Sequence, residues 1–150
     1  MKIKQIFYDF DGVMTDNKVL LSEKGVESVF VNRSDGLAIS YFKKIGVNQT
    51  IISTEKNPVV MKRAKKLEIE CFQSIDNKLE KIKIILKESK LEIDEVVFVG
   101  NDLNDLEAMK YLSNTYCPKD SHPTILKVAK KILSSPGGQG VIMDLYNILA

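Results

Sequence analysis

Short apolar segments that alternate with helix-like segments constrain the possible fold more than any other feature of this sequence. The apolar segments are 6–8, 47–52, 69–72 and 96–99. The last of these, Val96-Val97-Phe98-Val99, is apolar throughout, which is typical of a strand buried on both faces. Strands that alternate with helices predict an α/β fold in three layers, with a parallel sheet covered by helices on both faces.

The segments between these strands carry apolar residues at helical spacing. They predict helices at 35–44, 58–66, 76–90, 104–112 and 122–129, and a last helix that ends at 149. Directly after the first strand, the apolar segments 19–21 and 29–31 flank the polar segment 22–25. This pattern predicts a β-hairpin inserted after strand 1.

Composition narrows the class of protein. The chain has 150 residues, of which 44% are hydrophobic and 28% are charged, and this is enough for one domain with a full hydrophobic core. We see no linker, repeat or low-complexity tract, so we predict a single domain over residues 1–150. A net charge of +2 gives no reason to expect a nucleic-acid partner, and no apolar stretch reaches the length of a membrane span.

The cysteines and the N-terminal segment bear on location. Cys71 and Cys117 are far apart and outside any metal-ligand spacing, which predicts reduced thiols rather than a disulfide framework. The first apolar run is only a few residues long and acids follow it at once, so no signal peptide is expected. Together these features predict a cytoplasmic protein.

Two carboxylates follow the first apolar segment, at Asp9 and Asp11. Side chains at i and i+2 of an extended segment point to the same side, so the two carboxylates converge where the strand ends. Like charges this close repel, and one takes up a proton unless a cation lies between them. Mg²⁺ prefers oxygen ligands, so the stretch predicts a Mg²⁺ site. The alternative is an ordinary acidic turn, since Asp and Gly are common turn residues.

Polar residues follow three of the predicted strands, and ligands of parallel α/β sheets bind beyond the carboxyl ends of the strands. We therefore expect three groups of side chains to meet at one edge: Asp9 and Asp11; Ser53 and Thr54; and Asn101, Asp102 and Asp105.

An acid-lined Mg²⁺ site without a His, Cys or P-loop lysine motif points to phosphoryl chemistry. Asp9 comes first out of the strand and suits a nucleophile that forms an aspartyl phosphate, and Asp11 suits the general acid and base. Ser53 could donate its hydroxyl and its backbone N–H to the phosphate. A lysine is also needed to offset the charge, and this chemistry does not choose among the many lysines of the chain.

These residues resemble the motifs of the haloacid dehalogenase (HAD) superfamily of phosphatases, in the same order and over essentially the whole chain. The segment 9–16 resembles the first motif, with Asp9 as nucleophile and Asp11 as acid and base. Ser53 resembles the phosphate ligand of the second motif, and Lys78 resembles the phosphate-binding lysine of the third. The resemblance implies a Rossmann-like HAD fold.

The segment 100–105 resembles the fourth HAD motif, which completes the metal site. The resemblance implies that Asn101 and Asp102 join the two N-terminal aspartates at the Mg²⁺, with Asp105 in support behind them. It also implies that Thr15, within the first motif, contributes to phosphate binding.

The short hairpin leaves no room for a cap domain, and the segments 32–37 and 137–140 resemble the capless branch of the superfamily. That branch includes phosphatases of 3-deoxy-D-manno-octulosonate 8-phosphate and of nonulosonate 9-phosphates, and the phosphatase-like part of some acylneuraminate cytidylyltransferases. The resemblance implies a phosphorylated sugar-acid substrate and a homotetramer in which a neighbouring subunit helps to complete the active site. Arg33, Asp35 and the glycine segment 137–140 would then lie near the substrate or the subunit contact.

Asn101 departs from this family, whose metal motif usually has an aspartate at that position. An amide oxygen can still bind Mg²⁺, and Asp102 could supply a carboxylate directly or through water. The departure permits a second hypothesis, that the chain is a catalytically weak tetramerisation module associated with a sugar-acid cytidylyltransferase. The retention of both Asp9 and Asp11 favours the phosphatase.

Overall fold

A computed structural model describes residues 2–150. Its strands are β1 (Gln5–Tyr8), β2 (Leu20–Leu21), β3 (Glu27–Ser28), β4 (Asn48–Ile52), β5 (Glu70–Phe72), β6 (Val96–Val99), β7 (Asn114–Cys117) and β8 (Lys131–Ile132). Its α-helices are α1 (Arg33–Lys44), α2 (Val59–Leu67), α3 (Lys78–Ser89), α4 (Leu106–Tyr111), α5 (Pro123–Val128) and α6 (Val141–Leu149). Short 3₁₀ turns at Ile93–Glu95 and Leu103–Asp105 precede β6 and α4.

Six of the strands form one sheet in the order β5-β4-β1-β6-β7-β8, and each pair of neighbours runs parallel. The predicted parallel α/β fold is therefore confirmed. The hairpin also lies where it was predicted, between β1 and α1, although its second strand is 27–28 rather than 29–31. In the described chain this hairpin is the only pair of strands between Tyr8 and Arg33, and no cap domain is inserted there.

Helices cover both faces of the sheet. α1, α2 and α6 pack on one face and α3, α4 and α5 on the other, with a separate hydrophobic core beneath each group. In the central strand β1, Ile6 and Tyr8 belong to the first core and Phe7 to the second, so both faces of the strand are buried. No helix within residues 2–150 combines the length and the apolar content that a membrane crossing requires.

Asparagine caps determine where two of the helices begin. The Asn32 side chain accepts a hydrogen bond of 2.9 Å from Ser34 N–H, so α1 begins at Arg33, slightly before the predicted start. The Asn77 side chain accepts one of 3.1 Å from Glu80 N–H, so α3 begins at Lys78 rather than at residue 76. This start places Lys78 in the first turn of α3.

Candidate active site

Three strands end side by side at the centre of the sheet, and predicted site residues follow each of them. β1 lies between β4 and β6 and is parallel to both. Along the chain, β4 and β5 are added on one side of β1, and β6, β7 and β8 are then added on the other side. This change of direction leaves a crevice beyond the carboxyl ends of the central strands. Asp9 and Ser53 line a cleft there, and the Asn101 side chain contacts Asp9.

The ammonium group of Lys78 joins two buried carboxylates. Its Nζ lies 2.9 Å from Asp9 Oδ1 and 2.7 Å from Asp105 Oδ1, and the three side chains are almost wholly buried. Burial lowers the pKa of Lys78, but the charges of Asp9 and Asp105 more than offset this effect and raise the pKa above its ordinary value. The lysine therefore keeps its positive charge beside Asp9.

Asp9 has an unusual environment for a carboxylate. Its Oδ1 also accepts a hydrogen bond of 2.7 Å from Phe10 N–H. Burial, and after it the charge of Asp105, raises the pKa of Asp9 to about 8, while Lys78 opposes the shift. One lysine does not balance two buried carboxylates, so the arrangement favours a further cation beside Asp9.

Oxygen atoms suited to such a cation converge on Asp9 Oδ2. One end of the Asn101 amide lies 2.8 Å from this atom and 2.9 Å from the backbone oxygen of Asp11. With nitrogen at that end, the amide donates hydrogen bonds to both oxygens; with oxygen there, the amide oxygen faces both of them. Oxygens at right angles on an ion with Mg–O bonds of about 2.0–2.1 Å lie about 2.9 Å apart, so the observed spacing fits Mg²⁺.

Asp11 and Asp102, two of the predicted metal ligands, make other contacts in the structure. Asp11 turns its backbone oxygen toward Asn101. The carboxylate of Asp102 accepts a hydrogen bond of 2.7 Å from Leu103 N–H and caps the 3₁₀ turn. Within residues 2–150, no three His, Cys, Asp or Glu side chains are grouped to hold a metal. Metal binding by the carboxylates of Asp11 and Asp102 stays a prediction.

Asp105 organises the loop that follows β6. Its Oδ2 accepts hydrogen bonds from Asn101 N–H at 2.9 Å and from Asp102 N–H at 3.2 Å, while its Oδ1 faces Lys78. A Cβ at Gly100 would lie 2.7 Å from the Asp105 Cβ, so the loop passes too close for a side chain there. Asp105 thus holds both the lysine and the loop that carries Asn101.

The loop after β1 is shaped by Gly12 and Thr15. Gly12 has a φ of +84°, and a Cβ there would lie 1.9 Å from Asn101 Nδ2, so this position requires glycine. The Thr15 hydroxyl accepts hydrogen bonds from Gly12 N–H at 3.2 Å and Asn17 N–H at 3.1 Å. Thr15 has no exposed surface in the described chain and supports the loop, and the phosphate contact predicted for it stays a prediction.

A cavity of about 320 Å³ opens beyond the strand ends. Ser53 and Thr54 line it, and Asn104 Nδ2 donates a hydrogen bond of 3.2 Å to Thr54 Oγ1, which joins the loops after β4 and β6. Ser53 Oγ accepts a hydrogen bond of 3.1 Å from Glu55 N–H, and its own hydroxyl hydrogen can still be donated to a ligand. Burial, and after it the charge of Glu55, raises the pKa of Asp11.

Arg33 and Asp35 lie away from this cavity. Arg33 lines a separate groove between α1 and α2, together with Arg63. Asp35 is buried, and its Oδ1 accepts a hydrogen bond of 3.1 Å from Ile142 N–H at the start of α6. In one chain, neither is among the described residues that line the cleft. The substrate or subunit contacts predicted for them stay predictions about an assembly of several chains.

The sequence analysis missed two features of the site. The first is the use of the glycine segment 137–140: Gly138 N–H donates a hydrogen bond of 3.1 Å to Val13 O, and a Cβ at Gly137 would lie 2.2 Å from Gly12 O. In the sequence, the adjacent Gly137 and Gly138 are the feature that could have predicted such a close approach to the loop after β1. The second is a pair of glutamates, Glu27 and Glu55, that line the cavity. Their placement depends on tertiary contacts that carry no sequence signal.

Comparison with known proteins places this site in a family. Residues 43–145 match the model of the haloacid dehalogenase-like hydrolases. A HAD-family hydrolase from Streptomyces avermitilis has 37% sequence identity and a TM-score of 0.93, with 96% of this chain and 83% of that chain covered. The chain belongs to the haloacid dehalogenase-like hydrolase family. The predicted family, its capless Rossmann-like fold and a phosphatase-type hydrolase activity are thereby confirmed.

The relatives of this HAD chain include sugar-acid phosphatases. It is 26% identical to the 3-deoxy-D-manno-octulosonate 8-phosphate phosphatase of Escherichia coli K12, over 98% of this chain and 79% of that protein. The same enzyme from Moraxella catarrhalis, solved with magnesium, phosphate and KDO, has 26% identity and a TM-score of 0.93, with 98% and 85% covered. The chain is also 25% identical to N-acylneuraminate cytidylyltransferase A of Danio rerio, over 95% of this chain, but it spans only 34% of that protein's length.

Proposed function

We propose that the chain is a Mg²⁺-dependent phosphatase that hydrolyses a small phosphorylated sugar acid through an aspartyl phosphate on Asp9. The observation that carries the proposal is the position of the Asp9 carboxylate, which follows β1, lines a cleft and is held 2.9 Å from Lys78 Nζ. The Escherichia coli and Moraxella catarrhalis phosphatases support the substrate class.

Asp9 and Asp11 divide the proposed chemistry. An oxygen of Asp9 attacks phosphorus and the bond from phosphorus to the sugar oxygen breaks, while Asp11 gives its proton to that oxygen. In the second step Asp11 takes a proton from water, whose oxygen attacks phosphorus and releases phosphate and the Asp9 carboxylate. Burial and the charge of Glu55 raise the pKa of Asp11, which suits an acid that must hold a proton before the first step.

The remaining residues of the site bind the charged parts of the reaction. Lys78 offsets the charge of the phosphate oxygens next to Asp9, and the Ser53 hydroxyl donates a hydrogen bond to one of them. Mg²⁺ would be held by Asp9 Oδ2, the Asp11 backbone oxygen and the Asn101 amide oxygen. When bound, Mg²⁺ supplies positive charge that neutralises the phosphate.

The hairpin supports the proposed homotetramer, in which a neighbouring subunit completes the active site. Leu20, Leu21 and Phe30 are 70%, 62% and 80% exposed, and this is an unusual concentration of apolar surface on one short segment. Packing hairpins together would remove that surface from water. Light scattering should give four times the mass of one chain for the native protein, and a smaller mass for a Leu20→Ser, Phe30→Ser variant.

A second candidate function is a catalytically weak module that assists a sugar-acid cytidylyltransferase. Asn101 favours this hypothesis, as does the similarity to part of the Danio rerio cytidylyltransferase. The contact of Lys78 with Asp9 and Asp105 argues against it, because buried charges are costly and a module without catalysis does not need them. Absence of Mg²⁺ binding and of phosphate release, in a stable tetramer, would favour the module.

Phosphate release from a panel of esters tests the proposed function. The panel should include eight-carbon and nine-carbon sugar-acid phosphates, each with Mg²⁺ and with a chelator. We expect hydrolysis that needs Mg²⁺ and that falls below detection in Asp9→Asn. The matched control is Asp94→Asn, the same change in the 3₁₀ turn before β6, which should retain wild-type rates. Hydrolysis by Asp9→Asn at the wild-type rate would exclude the aspartyl-phosphate mechanism.

A further inference from the structure

Asn101 lies where this family usually has an aspartate, and it differs from an aspartate in both charge and hydrogen bonding. One end of its buried amide lies 2.8 Å from Asp9 Oδ2 and 2.9 Å from the Asp11 backbone oxygen. The backbone of Asn101 is fixed on both sides, because its N–H donates to Asp105 Oδ2 at 2.9 Å and its carbonyl oxygen accepts from His122 N–H at 2.8 Å. The amide is therefore held against the Asp9 carboxylate.

The two ends of the Asn101 amide have opposite character, and each suits a different state of the site. The nitrogen end donates hydrogen bonds to Asp9 Oδ2 and to the Asp11 backbone oxygen, so both oxygens are satisfied without a metal. The oxygen end is instead suited to a cation that binds all three oxygens. Because the two ends are nearly equal in size, rotation of the amide exchanges them within the same space. An aspartate has no hydrogen to donate, so only the amide stabilises the site without a metal.

The buried charges of the site determine how strongly a cation is held by the protein alone. Lys78 Nζ lies 2.9 Å from Asp9 Oδ1 and 2.7 Å from Asp105 Oδ1, so the three buried side chains carry one net negative charge. The Asn101 amide is neutral and adds nothing to this charge. Mg²⁺ alone would leave the buried group with a net positive charge, and it would also replace the two hydrogen bonds of the amide nitrogen. Both effects weaken the binding of Mg²⁺ to the protein alone.

A phosphate group supplies the negative charge that Asn101 does not. Ser53 lines the same cavity as Asp9, so a phosphate bound between them lies beside the buried charges. A phosphate dianion alone would meet the net negative charge of this group, and none of the described residues that line the cavity is a lysine, arginine or histidine. Mg²⁺ and the dianion together restore the net charge that the group has without ligands. Each ligand therefore favours the binding of the other.

We infer that Asn101 makes the binding of Mg²⁺ conditional on a bound phosphate group. Its amide nitrogen is hydrogen-bonded to Asp9 when no metal is bound, and its amide oxygen becomes a metal ligand when phosphate supplies the missing negative charge. The inference rests on the proposed phosphatase function and adds an order of binding to it. An aspartate at this position would contribute a second net negative charge, so that Mg²⁺ alone would neutralise the buried group and bind without phosphate.

Calorimetric titration with Mg²⁺, alone and in saturating inorganic phosphate, tests this dependence. We expect phosphate to lower the Kd of the wild-type protein for Mg²⁺ about tenfold, after correction for the association of the two ions in solution. In Asn101→Asp, phosphate should lower the Kd less than threefold, because Mg²⁺ is already held by the added carboxylate. Asn104→Asp is the matched control on the same loop. Asn104 contacts Thr54 rather than Asp9, so this variant should keep the wild-type dependence on phosphate.

Two further measurements on the wild-type protein do not require any variant to bind metal. Mg²⁺ should raise the affinity for inorganic phosphate by the same factor by which phosphate raises the affinity for Mg²⁺, because the coupling between two sites is reciprocal. The side-chain amide signals of Asn101 in ¹⁵N NMR spectra, assigned by their absence in Asn101→Asp, report the state of the amide directly. They should shift when Mg²⁺ and phosphate are added together, and much less when either is added alone.

The outcomes separate the inference from the proposed function. If the wild-type Kd for Mg²⁺ stays within twofold on addition of phosphate, while sugar-acid phosphates are hydrolysed with Mg²⁺, the inference is wrong and the proposed phosphatase is intact. An equal effect of phosphate in the wild type and in Asn101→Asp would also overturn the inference, because the dependence would then not come from the amide. If Mg²⁺ binds under neither condition and no ester is hydrolysed, the proposed function and the inference are both wrong.

Discussion

The candidate active site and the junction of α1 with α6 both bury acidic side chains, but they compensate for the burial differently. At the active site, Asp9 and Asp105 share the Lys78 ammonium group at 2.9 and 2.7 Å. At the junction, Asp35 Oδ1 accepts one hydrogen bond, from Ile142 N–H, and its Oδ2 is buried without a hydrogen-bond partner in the described chain.

Burial raises the pKa of an acid in both regions, to about 8 for Asp9 and about 7 for Asp35. Asp9 lines an open cavity, so a cation from solution can reach it and keep it ionised. Asp35 is 1% exposed beneath α6, and burial outweighs the Ile142 hydrogen bond and the charge of Arg63, so its protonated form is favoured. A raised pKa therefore indicates a chemical site only where the group is also accessible.

The largest effect should follow removal of the Lys78 ammonium group from the active site. Lys78→Met leaves two buried carboxylates without their shared partner, and we expect phosphatase activity below detection and a loss of about 3–5 kcal/mol in the free energy of unfolding. Urea denaturation and phosphate release measure the two effects. Lys87→Met, on the exposed part of the same helix, should change stability by less than about 0.5 kcal/mol. Wild-type stability in Lys78→Met would show that the three charges are not coupled.

A smaller effect tests the glycine segment that links the two regions. A Cβ at Gly137 would lie 2.2 Å from Gly12 O, so Gly137→Ala must displace the loop that carries Asp11. We expect a loss of about 2–3 kcal/mol in stability and a fall in kcat. Gly36→Ala is the control: its Cβ would meet Leu67 at 3.4 Å, and helix propensity favours alanine. Equal stability of the two variants would contradict the close packing.

The junction itself should respond to pH. The folded-state pKa of Asp35, about 7, lies above its ordinary value of 3.8, so between these values the folded state holds a proton that the unfolded state has lost. The stability from this group is present at low pH and is lost as pH rises through 7. Asp35→Asn has no carboxyl group to titrate at this position, so it does not show this loss. The free energy of unfolding of the variant, relative to that of the wild type, should therefore rise by about 2 kcal/mol from pH 5 to pH 8.

Chemical denaturation at several pH values measures this difference. The change in the free energy of unfolding with pH does not depend on how well the introduced amide packs, because a packing change shifts stability equally at every pH. A difference between Asp35→Asn and the wild type that stays constant from pH 5 to pH 8 would show that Asp35 remains ionised in the folded protein. The distinction between the two regions would then fail.

The smallest expected effect concerns the metal. Asn101→Asp adds a carboxylate beside Asp9 Oδ2, and we expect Mg²⁺ to bind about tenfold more tightly, which is about 1.4 kcal/mol. Calorimetric titration measures the affinity. Asn104→Asp, on the same loop but without contact to Asp9 in the structure, should change it less. Equal changes in the two variants would place the metal elsewhere in the cavity.

Much of the site could be predicted because its residues follow strands directly. Asp9, Ser53 and Asn101 come next after β1, β4 and β6 or within two residues of them, and parallel strands bring their carboxyl ends together. Lys78 was identified only by resemblance, since nothing in the pattern of α3 distinguishes it from the other lysines there. Its contact with Asp105 depends on the packing of α3 against the loop after β6.

By itself, the sequence determined the order of strands and helices, the parallel sheet and the edge at which the chemistry lies. These features depend on local periodicity, which each segment carries independently of the others. Only the tertiary structure decided that Thr15 supports a loop, that Asp35 lies under α6, and that two glutamates from distant segments line the cavity. Such placements arise from contacts between residues far apart in the chain, and no local pattern records them.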